Sequence, residues 1–322
     1  MALFRGLNIG LTQGLVAGLT GGGSGGAPAG AEFTFDVKTD NTGTSSDTSF
    51  SMNIVGTTNL DVDWGDGNTE TFVTAGQKTH DYGVGNEGTY TIKLGAVNKT
   101  FERITFSSLD PQKFLDISQW GSIQWVSWQD GFEHCINLTI SATDSPDLSA
   151  LINAKDAFAN CDALTTFPAM SFPVCTTLYG FFRGCALLTS VGAFTTTSEL
   201  LTVAQMCSQT PLLTSFDVTS MDTSATTDFS QWFYLSAVDL DVSSLNIGSL
   251  TTASYMFLLN TAFSQTNYEL LLVAWEGQPH NNSVDLHAGT ATYAAELPAT
   301  DAELARALLV SQGWTITDGG YV

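Results

Sequence analysis

Phe182-Arg183-Gly184-Cys185-Ala186-Leu187-Leu188 is one copy of a string that returns along the chain. Its aromatic recurs every 24 to 26 residues, at Phe106, Phe132, Phe158, Phe182, Phe233 and Phe257, with Cys207 in the place between Phe182 and Phe233. Three places after it stand Cys135, Cys161, Cys185, Thr210, Ser236 and Asn260. Six places after it stand Leu138, Leu164, Leu188, Leu213 and Phe263. Linked recurrence at one period predicts a solenoid. A unit of about 25 residues cannot bury an apolar face alone, so stacked coils share a core and leave a long lateral surface. Such an architecture suits holding a partner better than turnover chemistry.

A second landmark precedes the aromatic: Leu115-Asp116-Ile117-Ser118, Phe216-Asp217-Val218-Thr219 and Leu240-Asp241-Val242-Ser243. An apolar-Asp-apolar-hydroxyl string suits a short strand, with the carboxylate and hydroxyl meeting backbone donors at the turn. On these strings, with Tyr255-Met256-Phe257 and the opening one, residues 105–266 resemble the BspA-like leucine-rich-repeat proteins of bacterial surfaces. The resemblance implies a leucine-rich-repeat solenoid and a surface role. Cys207 in place of the aromatic, and Asp239 where a late leucine belongs, depart from the pattern.

Upstream, residues 32–104 alternate apolar and polar, as in Phe33, Phe35, Val37 and in Tyr90, Ile92, Leu94, which predicts β-strands. Val62-Asp63-Trp64-Gly65-Asp66-Gly67 ends in a tight-turn signal. With His80-Asp81-Tyr82 it resembles the PKD-like β-sandwich, and His80 is then expected as a structural hydrogen-bonding residue. Downstream, residues 267–322 read as a C-terminal α/β cap. Tyr268 to Trp275 is apolar enough to seal the last coil, Thr300-Asp301-Ala302-Glu303 starts a capped helix that Gly313 ends, and Trp314 to Thr317 is a strand. The expected class is therefore mainly β with short helices.

The N-terminus has a shorter period. Leu3, Leu7, Leu11, Leu15 and Leu19 recur every four residues, as do Gly6, Gly10, Gly14 and Gly18. Leucines then fall on one stripe of a helix and glycines on another, allowing close approach to a neighbour. A glycine-rich linker continues to residue 31. Residues 1–31 are expected to be a docking segment and tether. A signal peptide is the alternative, given Arg5 and Ala27-Pro28-Ala29, but Asn8, Thr12 and Gln13 interrupt its apolar stretch. The same interruptions argue against a membrane span.

Thirty-two acidic against ten basic residues give a charge of −22, which repels nucleic acid and anionic membranes. The four histidines are scattered and no catalytic, phosphate-loop or metal-ligand string occurs, so neither catalytic residues nor a cofactor or metal is expected. Trp120, Trp125 and Trp128 are the candidate ligand-facing aromatics, but their place at the start of the solenoid favours the other reading, a seal between sandwich and first coil. The expected function is a non-enzymatic bacteriophage virion surface protein, a capsid decoration or a head or tail fibre. Its partners would be other virion proteins through residues 1–31, a host cell-surface glycan or protein, and copies of itself. A bacterial cell-surface leucine-rich-repeat adhesin is the competing reading.

Overall fold

The computed structural model describes residues 31–56, 59–96, 100–295 and 300–322. Alternating side chains build the first strand: β1 (Phe33–Lys38) buries Phe33, Phe35 and Val37 on one face. β2 (Ser49–Val55), β3 (Leu60–Asp63), β4 (Thr69–Phe72), β5 (Gly76–Asp81), β6 (Thr89–Ala96), β7 (Thr100–Phe101) and β8 (Arg103–Thr105) come after it. Two antiparallel groupings result, β1-β6-β3-β4 and β5-β2-β8. They meet where Phe35 lies 6.2 Å from Phe50 and where Trp64 stacks on His80 at 4.8 Å. His80 Nε2 lies 2.9 Å from Asp66 Oδ2, and Tyr82 donates its hydroxyl to the Trp64 carbonyl, which fixes the turn after β3. Burial alone would raise the Asp66 carboxyl, but hydrogen bonds from His80 and Asn68 outweigh it and hold it low.

β9 (Phe114–Gln119), β10 (Gln124–Trp125) and β11 (Thr139–Ile140) are the next strands. β9 pairs antiparallel with β1 on one side and parallel with β11 on the other, so the first sheet runs on into the downstream stack. Among the described residues every later pairing is parallel. β12 (Thr166–Phe167), β13 (Met170–Phe172), β14 (Ser190–Val191), β15 (Phe194–Thr196), β16 (Ser215–Phe216) and β17 (Thr252–Ala253) are short. A chain of parallel bridges links Ser127 to Asn153, Thr177, Thr202, Asp228 and Thr252 in turn. It continues through β18 (Asp285–His287) to β19 (Thr315–Thr317). Successive segments of the chain thus lie side by side in order.

Inside this stack, Phe132 lies flat against Phe158 at 4.9 Å, Phe158 is 6.4 Å from Phe182, and Phe233 stacks on Phe257 at 5.5 Å. One apolar core runs from Phe33 to Trp314. Two helices close the far end. α1 (Gln265–Glu276) buries Tyr268, Leu271, Leu272 and Trp275, and the Trp275 indole donates to the Val242 carbonyl. α2 (Asp301–Ser311) packs on α1, and the Thr300 hydroxyl accepts from the Glu303 N–H, the cap expected there. The described chain is mainly β with two helices.

One local expectation is corrected. Only the string at Asp116 lies within a strand, β9. Asp217 and Asp241 accept the N–H two residues on, from Thr219 and Ser243, as expected of carboxylates at a turn, but the segments after Phe216 and around Asp241 lie outside strands.

Candidate functional site

From Phe132 on, each repeated aromatic sits midway between two residues with positive φ. Asp130 and His134 flank Phe132, Asp156 and Asn160 flank Phe158, and Gly180 and Gly184 flank Phe182. Gln205 and Gln209, Gln231 and Leu235, Tyr255 and Leu259 do the same for Cys207, Phe233 and Phe257. Left-handed residues set between right-handed ones turn alternate N–H groups to one side of the chain. Trp128, Asp130, Phe132 and His134 accordingly donate to the carbonyls of Asn153, Lys155, Ala157 and Ala159 at 2.8–2.9 Å. The next coil repeats this from Ala154, Asp156, Phe158 and Asn160 to Thr177, Tyr179, Phe181 and Arg183.

Side chains hold the near end of each of these turns and the far end of four of them. Five residues before the aromatic, Ser127, Asn153, Thr177, Thr202, Asp228 and Thr252 each accept the N–H two residues on. Behind the aromatic, Cys161 Sγ donates to the Phe132 carbonyl at 3.2 Å and Cys185 Sγ to that of Phe158 at 3.0 Å. Thr210 and Ser236 hydroxyls reach the carbonyls of Cys207 and Phe233 from the same place. All five cysteines are buried free thiols, and burial pushes Cys185 up to about 12 and Cys175 to about 11.

These turns present a face to solvent, and on three neighbouring segments it is charged. Arg183 Nη2 contacts Asp156 Oδ1 at 2.9 Å and lies 3.7 Å from Glu133 Oε1. Lys155 Nζ is 3.7 Å from Asp156 Oδ2 and 5.5 Å from the centre of the Tyr179 ring. His134 stands half-exposed beside Glu133. Burial raises the Glu133 carboxyl, with His134 and Arg183 partly opposing the shift. Lys155 and Arg183 are the only lysine or arginine between Lys113 and Arg306, and both are here. The patch joins cations, carboxylates and an aromatic ring within three coils, a set that can give and accept hydrogen bonds from a polyhydroxyl or peptide ligand. Sequence reading missed it because its members are scattered over some fifty positions. The rarity of basic residues in this stretch was the available signal.

Of the two readings of the tryptophan cluster, burial removes the ligand-facing one and fits the seal. Trp120, Trp125 and Trp128 are each 1% exposed and cannot face a ligand. Trp120 stacks on Phe33 at 5.7 Å and on Trp128 at 5.2 Å, Trp125 meets Phe33 edge-on at 5.1 Å, and Trp128 meets Phe158. They fill the space between β1 and the first coils, because three large apolar rings gain more from burial there than from exposure. The docking residues Leu3, Leu7, Leu11, Leu15, Leu19, Gly6, Gly10, Gly14 and Gly18 lie outside the described residues.

A groove of 280 Å³ lies elsewhere on the stack, between residues 145–149 and 169–173. No backbone hydrogen bond joins those two described segments. Pro146 and Pro173 have no N–H to give, which opens the ladder at this point. Among the described residues, no group of three or more His, Cys, Asp or Glu side chains is gathered as a metal ion requires. No helix among them is long and apolar enough to cross a membrane. No family model, curated protein or solved structure matches the chain.

Proposed function

We propose that this chain is a non-enzymatic surface protein of a bacteriophage virion, held to the particle by residues 1–31 and projecting a stacked recognition face toward the host. In this reading residues 32–104 are a PKD-like sandwich, 105–266 a BspA-like leucine-rich-repeat solenoid and 267–322 its cap. The parallel ladder is the observation that carries it. Bridges from Ser127 to Thr315, each joining successive segments, make a stiff column whose side chains are displayed at fixed spacing. Rigid display with many weak polar contacts gains strength through copy number.

The face around Arg183, Asp156, Lys155 and Tyr179 takes the recognition role that the tryptophans cannot fill. Its excess of carboxylates, in a chain of charge −22, favours a neutral or cationic host polymer over an anionic one. Multivalent presentation of the full chain on beads should retain host cells. Arg183→Glu together with Tyr179→Ala should cut that retention about tenfold, about 1.4 kcal/mol per contact set, without lowering the melting temperature by more than a few degrees. Unchanged retention would remove this face from the proposal. Finding the chain in envelopes of uninfected cells, and not in particles, would favour the bacterial adhesin.

A further inference from the structure

The turn face changes character halfway along the stack. At the five places centred on the repeated aromatic, residues 130–134, 156–160 and 180–184 include Asp130, Glu133, His134, Asp156 and Arg183. The same five places at 205–209, 231–235 and 255–259 hold no charged residue. Asp228 and Asp285 stand at the rim of this second half, on the parallel ladder. Its segments lie in register. The N–H groups of Gln205, Cys207 and Gln209 donate to the carbonyls of Ser230, Trp232 and Tyr234, and those of Gln231, Phe233 and Leu235 to Ser254, Met256 and Leu258, all at 2.7–3.0 Å. Phe257 continues the series to the His287 carbonyl.

The left-handed positions are filled differently in the two halves. In the first they are Asp, His, Asp, Asn, Gly and Gly, types that take positive φ most readily. In the second they are Gln205, Gln209, Gln231, Leu235, Tyr255 and Leu259, with φ of 52–60°. Bulky side chains cost backbone strain there, and Leu235, Tyr255 and Leu259 are also 38%, 50% and 53% exposed. Neither strain nor exposure helps the free fold, and residues held against both cluster where a ligand is gripped. The polar groups are free as well: the amides of Gln205, Gln209 and Gln231 and the Tyr255 hydroxyl bond to no other described residue.

We infer that this uncharged half of the turn face binds a stretch of neutral polysaccharide. The site goes beyond the function proposed above: it is separate from the Arg183 face and stands whether or not that face binds anything. Its chemistry fits a sugar chain, whose rings offer apolar C–H faces and an edge of hydroxyls. The Tyr255 ring with Leu235 and Leu259 takes the first, and three amides, each able to give and accept hydrogen bonds, take the second. Charge excludes an acidic polymer, because the rim carboxylates and the net −22 repel it and no lysine or arginine stands among these places to pair with it. Size excludes a folded partner or a second copy. Three steps of about 4.8 Å, from the Gln205 segment to that of His287, make the face roughly 14 Å long. Five residues reach at most roughly 17 Å across it. An outline of about 240 Å², even doubled for the relief of the side chains, falls short of the roughly 800 Å² that each member of a stable protein pair buries. A narrow polymer needs no more than this.

Electrophoresis of the full chain through native gels containing dextran, mannan or galactan tests this, with alginate as the anionic control. At least one of the three neutral polymers should retard the chain, and alginate should not. Tyr255→Asn together with Leu259→Asn should weaken that retardation about tenfold. The melting temperature should stay level or rise, since asparagine takes positive φ more readily than tyrosine or leucine. Arg183→Glu with Tyr179→Ala should leave the retardation intact, which tells failure of this site apart from failure of the Arg183 face. Retardation by none of the three, equal retardation by alginate, or retardation unchanged in the asparagine pair would each overturn the inference. So would a loss of retardation that comes with a lower melting temperature, or a dimer at micromolar concentration in sedimentation velocity that the asparagine pair dissolves.

Discussion

Gly184 and Leu259 hold the same place, two residues after the aromatic, and both have positive φ, 79° and 59°. Only glycine takes that backbone freely, and an ordinary side chain costs about 1–2 kcal/mol there. Gly184→Ala should therefore destabilise by about 1–2 kcal/mol, with the added methyl also meeting Asn160 Oδ1 until that side chain turns away. Leu259→Gly should stabilise by about 0.5 kcal/mol, the strain relieved less the entropy of a freer unfolded chain. Urea midpoints measure both, and an unaffected Gly184→Ala would show that the turn is drawn wrongly. The aromatic period was legible because phenylalanine is conspicuous. The left-handed pairs were not, since one coil writes them as glycine and the others as Asp, His, Asn, Gln, Leu or Tyr. Cys135, Cys161 and Cys185 stand on the repeat register behind the aromatic, and burial there raises their thiols. A water-soluble maleimide should label the folded chain negligibly over an hour, and prompt labelling would contradict their placement.

At the scale of elements, the shared core and the closing helices make different demands. Phe158 lies against Phe132, Phe167, Phe181 and Phe182 and is fully buried, so Phe158→Ala should cost about 3–5 kcal/mol in denaturant unfolding. A loss below about 1 kcal/mol would mean that the rings do not stack between coils. Asp318 ties α1, α2 and the last strand together, accepting from Arg306 Nε at 2.7 Å and from the Tyr268 hydroxyl. Burial would raise its carboxyl, but these partners outweigh burial and hold it below the usual value. A depressed carboxyl contributes stability above its unfolded pKa of about 3.9, and that contribution is lost as the pH falls through the lower folded value. Asp318→Asn should lower the melting temperature at pH 7 and flatten its fall below pH 4. Parallel melting curves for the two proteins from pH 7 to pH 2 would contradict this. The cap on α2 was legible because Thr300 and Glu303 stand at capping distance. The strands expected at Asp217 and Asp241 failed because a carboxylate that takes the N–H two residues ahead removes it from the ladder.

For the whole molecule, period and patterning were enough to expect a mainly β chain with short helices, whereas the join between its two kinds of sheet was hidden. β9 serves the antiparallel sheet and the parallel ladder at once, and no local string announces a strand with two kinds of neighbour. Aromatic clusters serve recognition and packing equally well in sequence, and only the place of the tryptophans at the start of the repeats favoured packing. The charged face around Arg183 was invisible for the opposite reason, its residues meeting only when segments some 25 residues apart lie side by side. The central proposal is that the column stands out from a virion with its turn face free and its N-terminus held. Immunogold labelling of purified intact particles tests that most directly, using one antibody against the Arg183 to Lys155 face and one against residues 1–19. The expected result is labelling by the first and not by the second. Labelling by the second alone, or labelling of particles by neither while the envelopes of uninfected cells are labelled, would contradict it.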